Sequence, residues 1–318
     1  MSRDRVIGWA KDYFDRGTFF EDLARRVAIP TESQNPARDS ELRAYLDEEI
    51  APTLAAMGYA CRRIQNPKAP RMPFLVAERF ERTALPTVLS YGHGDVVRGM
   101  EGEWREGRDP WRVTRDGVRW YGRGTADNKG QHSINIAGLA AVLAVKGSLG
   151  FNSRILIETG EEMGSPGLHD MARQHAESLR ADVLIGSDGP RLLIERATLF
   201  TGSRGSFNFD MDVTLRDGGH HSGNWGGLLS NPGVILAHAI ASIVSKTGRV
   251  LVPEILPQGI PDSIRRVLAD CPVERLEGPT IDPRWGEPGL TPAEKVFAWN
   301  TFEVLAFTTG HPQNPANA

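Results

Sequence analysis

The chain has 318 residues, 40% of them hydrophobic and 24% charged, the make-up of an ordinary folded protein of about two domains and not of a disordered one. A formal net charge of -3 sets nucleic acid aside as a partner, and no apolar run approaches the roughly 20 residues a membrane helix needs. With only Cys61 and Cys271 there is no disulfide framework, and the charged start MSRDRVIGWAKDYFDRG lacks a signal-peptide core, so a cytoplasmic protein is expected.

Residues 3–28 read as helical until Pro30. A second helix is expected over 39–57, where Leu42, Leu46, Ile50, Leu54 and Met57 keep helical spacing. Pro52 predicts a kink in it and Gly58 its end. Short strands follow at 59–64 and 74–80, separated by the proline-rich loop PKAPRMP. TVLSYGH reads as a buried strand, VTRDGVRWYG as a small hairpin, and 129–146 as a helix. RILIET is the next strand, 166–179 a short helix, and DVLIGS another strand. Strands alternating with helices predict an α/β fold with a mostly parallel sheet flanked by helices. Beyond it the pattern changes. Phe207, Phe209, Met211, Val213 and Leu215 alternate with polar residues, as in a strand of an antiparallel sheet covered on one face. The predicted domains are therefore 1–198 and a smaller α+β domain, 199–318. Within the second, Asn231 and Pro232 open a helix that Gly248 closes, and TFEVLAFTT is a last strand candidate before the polar end.

Chemistry-bearing residues gather between Thr87 and Asp188. His93 and Asp95 lie in GHGD, Asp127 in GRGTADNKG, Glu161 and Glu162 in ETGEEMGS, and Asp188 in GSDGP. His93, Glu161, Glu162 and Asp188 follow apolar strands directly, and open α/β sheets bind ligands at strand C-termini. One histidine and several carboxylates suit zinc, manganese or cobalt, and a cation removes the repulsion among the carboxylates. Taken singly these residues are ordinary caps and turn formers; their order makes the metal site. GRGTAD is not a dinucleotide fingerprint, because the third glycine position holds Asp127 and no strand directly precedes it. A two-carboxylate glycosidase needs neither His93 nor the Glu pair.

These motifs, with VAIPTES before them and HHSGNWGG after, resemble the co-catalytic zinc peptidases and aminoacylases: acetylornithine deacetylase, succinyl-diaminopimelate desuccinylase, carboxypeptidase G and the carnosine-type dipeptidases. RGSFNFDMDV and HHSGNWGG look closer to the dipeptidase branch than to the desuccinylases. The resemblance implies a zinc-exopeptidase-like catalytic domain and a lid through which two copies dimerise. It implies two divalent metals, zinc first, with His93 and Asp188 on one, Glu162 on the other and Asp127 bridging. Glu161 is then the general base, Asp95 orients the His93 ring, and His221, or the adjacent His220, reaches from the lid into the active site of the partner subunit. The expected function is hydrolysis of an amide bond in a dipeptide or N-acyl amino acid by a metal-activated water; the alternative is a non-catalytic relative that keeps the fold and binds metal or a partner. The family's late histidine ligand for the second metal has no match, since His238 lies in a helix and His311 in an unrelated setting. A chain stopping inside the lid, with an incomplete second metal site, is therefore expected.

Overall fold

The computed structural model describes all residues except 1, 106, 190, 192–194, 196, 201, 203, 274–278 and 311–318. The chain divides into two compact units, Met1–Gly189 and Pro190–Ala318.

In the first unit the expected opening helix is two, α1 (Ser2–Asp15) and α2 (Thr18–Ala28). The second helical stretch holds α3 (Asp39–Ala44), a π-helical turn (Tyr45–Ile50) and α4 (Ala51–Ala56). Pro52 explains the π turn. It lacks an N–H and its ring crowds the carbonyl four residues back, so the wider turn accommodates it, and the Ala51 N–H reaches back to the Leu46 carbonyl.

Strands β1 (Ala60–Ile64), β2 (Phe74–Arg79) and β3 (Thr87–His93) follow, then the small hairpin β4 (Thr114–Asp116) and β5 (Arg119–Tyr121). Helix α5 (Lys129–Lys146), β6 (Asn152–Glu158), α6 (Leu168–Gln174), α7 (Ala176–Leu179) and β7 (Val183–Gly186) complete the unit. The main sheet has the order β1-β2-β6-β3-β7. β3 lies parallel to both β6 and β7, whereas β2 runs antiparallel to β1 and β6, so the sheet is mixed. The reversal follows from the short link between β1 and β2, because a parallel pair needs a crossover of about a dozen residues.

Helices cover both faces. Tyr45, Leu46, Ile50, Leu54 and Ile136 pack against Leu75, Ala77, Ile155 and Ile157. Met171 joins Phe74, Val76, Leu89 and Leu156 on the other face, with Leu168 and Leu179 against them. β7 is the strand that DVLIGS suggested. It forms one edge of the sheet, and Val183, Leu184 and Ile185 are exposed.

The second unit contains α8 (Ser222–Trp225), α9 (Pro232–Ile243), α10 (Asp262–Leu268) and α11 (Pro292–Phe297). Asn231 caps α9 by accepting the Val234 N–H, as its position before Pro232 predicted. The described residues of 205–215 and 301–309 form no ladder, although the Phe209 and Phe302 rings lie 6.1 Å apart. Alternation specifies which face of a strand is dry; pairing also needs backbone partners in register. Among the described residues no helix is long and apolar enough to cross a membrane.

Candidate metal centre

The site forms where β3 passes between its two parallel neighbours. His93 ends β3 and pairs with Glu158 at the end of β6, while Tyr91 pairs with Gly186 at the end of β7. The loops leaving β6 and β7 carry Glu161, Glu162 and Asp188, so the C-terminal edge of three strands presents them together. Glycines flank His93 because the backbone is crowded there. A Cβ on Gly92 would lie 2.9 Å from His132 Cβ, and one on Gly94 would lie 2.5 Å from the Tyr45 ring.

His93 is fully buried. Its Nδ1 donates to the Asp95 carbonyl at 3.0 Å, with the Asp95 carboxylate 3.4 Å away. That leaves the Nε2 lone pair facing acids: Asp127 Oδ1 at 3.0 Å, Asp188 Oδ2 at 3.6 Å and Glu161 Oε2 at 3.8 Å. Donor atoms of His93, Glu161 and Asp188 all lie within 4.8 Å of one another. Burial by itself lowers the pKa of His93; the Asp95 hydrogen bond and the charges of Asp95, Glu161 and Asp127 override it and raise the pKa to about 9. Burial, then the charge of Asp127, pushes Glu162 up to about 7. Burial also raises Glu161, with Asp188, Asp95 and Asp127 adding to it against His93. Each shift reports the same demand: a lone pair and several carboxylates converge where only a proton or a cation relieves them. The donor set therefore fits a divalent ion bound by nitrogen and oxygen.

Asp95 does more than face the His93 ring. Its Oδ1 accepts the Glu161 N–H and its Oδ2 the Glu162 N–H, both at 3.2 Å. One buried carboxylate thus holds the turn that carries both glutamates. The Asp127–Asn128 peptide is cis.

His221 belongs to the second unit, where its Nδ1 accepts the Gly223 N–H at 3.0 Å and caps α8. His220, not His221, lines a cleft of about 370 Å³ with Arg216, Ser222 and Trp225. His238 lies within α9, and His311 lies outside the described residues. The residues that sequence inspection missed are Asn128, which is buried beside His93, and Glu158, whose carboxylate accepts from Tyr91 and Ser165. Neither carries a signal beyond its proximity to a motif.

An α/β sheet with a cation-demanding cluster at its parallel strand ends is the setting of a metal-binding α/β protein. More narrowly, residues 89–295 match the model of Peptidase family M20/M25/M40, and the chain belongs to that family. It is 32% identical to the Beta-Ala-His dipeptidase of Mus musculus, over 76% of this chain and 51% of that protein. It is 29% identical to the Cys-Gly metallodipeptidase dug1 of Schizosaccharomyces pombe, over 81% of this chain and 56% of that protein. The fold is similar to that of human carnosine dipeptidase 1, with a TM-score of 0.67 and 26% identity, covering 84% of this chain and 58% of that one. The chain spans about half the length of the curated relatives it matches.

Proposed function

We propose that this chain hydrolyses the amide bond of a dipeptide or N-acyl amino acid at the ends of β3, β6 and β7. The observation that carries this is the convergence of His93 Nε2 with the Asp127, Asp188 and Glu161 carboxylates at 3.0 to 3.8 Å. His93 and Asp188 would hold one divalent ion, Glu162 a second, and Asp127 would bridge them. Zinc suits this donor set, and so do cobalt and manganese. When bound, such ions supply Lewis acidity and lower the pKa of a neighbouring water.

Glu161 takes the water proton on its carboxylate and returns it to the leaving amine. Asp95 holds both glutamates through their N–H groups. His221, or the adjacent His220, supplied by the lid of a partner subunit, would be the donor to the oxyanion. Dipeptides are the favoured substrates because the relatives are named Beta-Ala-His and Cys-Gly dipeptidases. Residues 1–198 then act as the catalytic domain and 199–318 as the lid, where an antiparallel sheet would involve the alternating segment 205–215. The lid helix α9 is strongly apolar and has no buried residue, which favours pairing with a second copy. Both cysteines are free, in keeping with the cytoplasm.

The test is amide hydrolysis with added zinc, cobalt or manganese, together with metal analysis. Glu161→Gln should lower turnover by about 10²–10⁴-fold while metal stays bound. Glu162→Ala should lose one of two metal equivalents. A wild-type chain that binds no metal would end the proposal; one that binds metal without turnover would make it a non-catalytic relative.

A further inference from the structure

We infer that Asn128 is the positioning residue of this centre, holding the backbones that carry three candidate ligands in one arrangement; this rests on the metal site proposed above. Asn128 is fully buried. Its Oδ1 accepts the His93 N–H at 3.2 Å, and its Nδ2 donates to the Ser187 carbonyl at 2.6 Å. Those partners are backbone groups, one able only to donate and the other only to accept, so they fix which end of the amide is which. Asn128 is also covalently joined to Asp127. One side chain therefore ties the end of β3, the residue before Asp188 and the Asp127 turn together.

The amide orientation settles the next partner. Oδ1 also faces His132 Nδ1 at 3.2 Å, so that nitrogen carries the proton. His132 Nε2 is then an acceptor and takes the Tyr45 hydroxyl proton at 2.6 Å. The remaining Nδ2 proton goes to Gln131 Oε1 at 2.8 Å. All four hydrogen-bonding capacities of the amide are used, and three of its partners lie on different stretches of chain. Gly92 makes the approach feasible, since a Cβ there would lie 3.0 Å from Asn128 Oδ1. A fully satisfied buried network of this kind has a single low-energy arrangement, which a metal site needs before the ion arrives.

The experiment measures Co(II) affinity of the full chain by visible absorption and chelator competition, alongside thermal unfolding of the metal-free protein. Asn128→Ala should bind Co(II) about 10–100-fold more weakly than wild type, the usual effect of removing a partner behind a ligand. Gln131→Ala, which removes one Asn128 Nδ2 contact and the Gln131 hydrogen bond to the Gly189 carbonyl but leaves the ties to His93 and Ser187, should lose clearly less affinity than Asn128→Ala. A folded Asn128→Ala protein with wild-type affinity overturns the inference. Should that variant not fold, Asn128→Asp decides by sign. It keeps the acceptor for His93 but turns a second acceptor on the Ser187 carbonyl. Added negative charge alone tightens cation binding, so weaker binding supports positioning, and equal or tighter binding overturns it. Wild-type protein that binds no Co(II) removes the metal site itself, and the role of Asn128 with it, an outcome distinct from equal binding by wild type and variant.

Discussion

His132 is an uncharged imidazole inside the protein. Burial, then the positive charges of Arg26, His93 and Lys129, holds its pKa well below the usual histidine range. The unfolded chain takes up a proton near about pH 6.5 and the folded protein does not, so the unfolded state binds more protons below that pH. Its contribution to stability is fully present above about 6.5 and is lost progressively as pH falls toward the lower folded value. Thermal unfolding of the metal-free protein between about pH 5 and pH 8 should show Tm falling on the acid side, with a shallower fall in His132→Gln. An identical slope in both would assign the acid sensitivity to another group.

At the scale of elements, the start of α5 is the tightest junction of the site. An alanine Cβ at Gly130 would lie 1.9 Å from the Thr125 carbonyl oxygen, an approach that backbone atoms cannot yield without moving the turn that holds Asp127. Glycine to alanine within a helix ordinarily stabilises by about 1 kcal/mol. Here Gly130→Ala should destabilise by about 1–3 kcal/mol in denaturant unfolding and weaken metal binding. A stabilised variant would mean that the turn has room to shift.

For the whole molecule, a ligand that binds only the folded state raises its stability by mass action. Zinc at about 100 times its dissociation constant should add about 2.7 kcal/mol, and a chelator should remove it, read as a reversible change in Tm. The unit that unfolds at higher temperature should be the one containing Met1–Gly189, because His93, Asp127, Glu161, Glu162 and Asp188 all belong to it. If α9 joins two copies, placing Glu at the exposed Ile235 should convert dimer to monomer in sedimentation, with metal content unchanged. Dimer persisting in that variant would move the contact elsewhere.

Much of this was legible in the linear sequence. TVLSYGH is β3 and 129–146 is α5, because continuous apolar runs and a helical stripe are local properties set by neighbours a few residues away. His93, Asp127, Glu161 and Asp188 come together because each stands at the end of an element whose length and order were already readable. The insertion of β2 between β1 and β6, the exposed edge at β7 and the unpaired 205–215 segment were not readable, since pairing depends on which backbone lies alongside. Asn128 is the sharpest case. By itself the sequence determined that carboxylates and a histidine would stand at strand ends. Only the tertiary structure decided that one neutral amide would fill the space between them, because its partners His93 and Ser187 are 35 and 59 residues away and hydrogen bonds at that separation leave no periodicity to read.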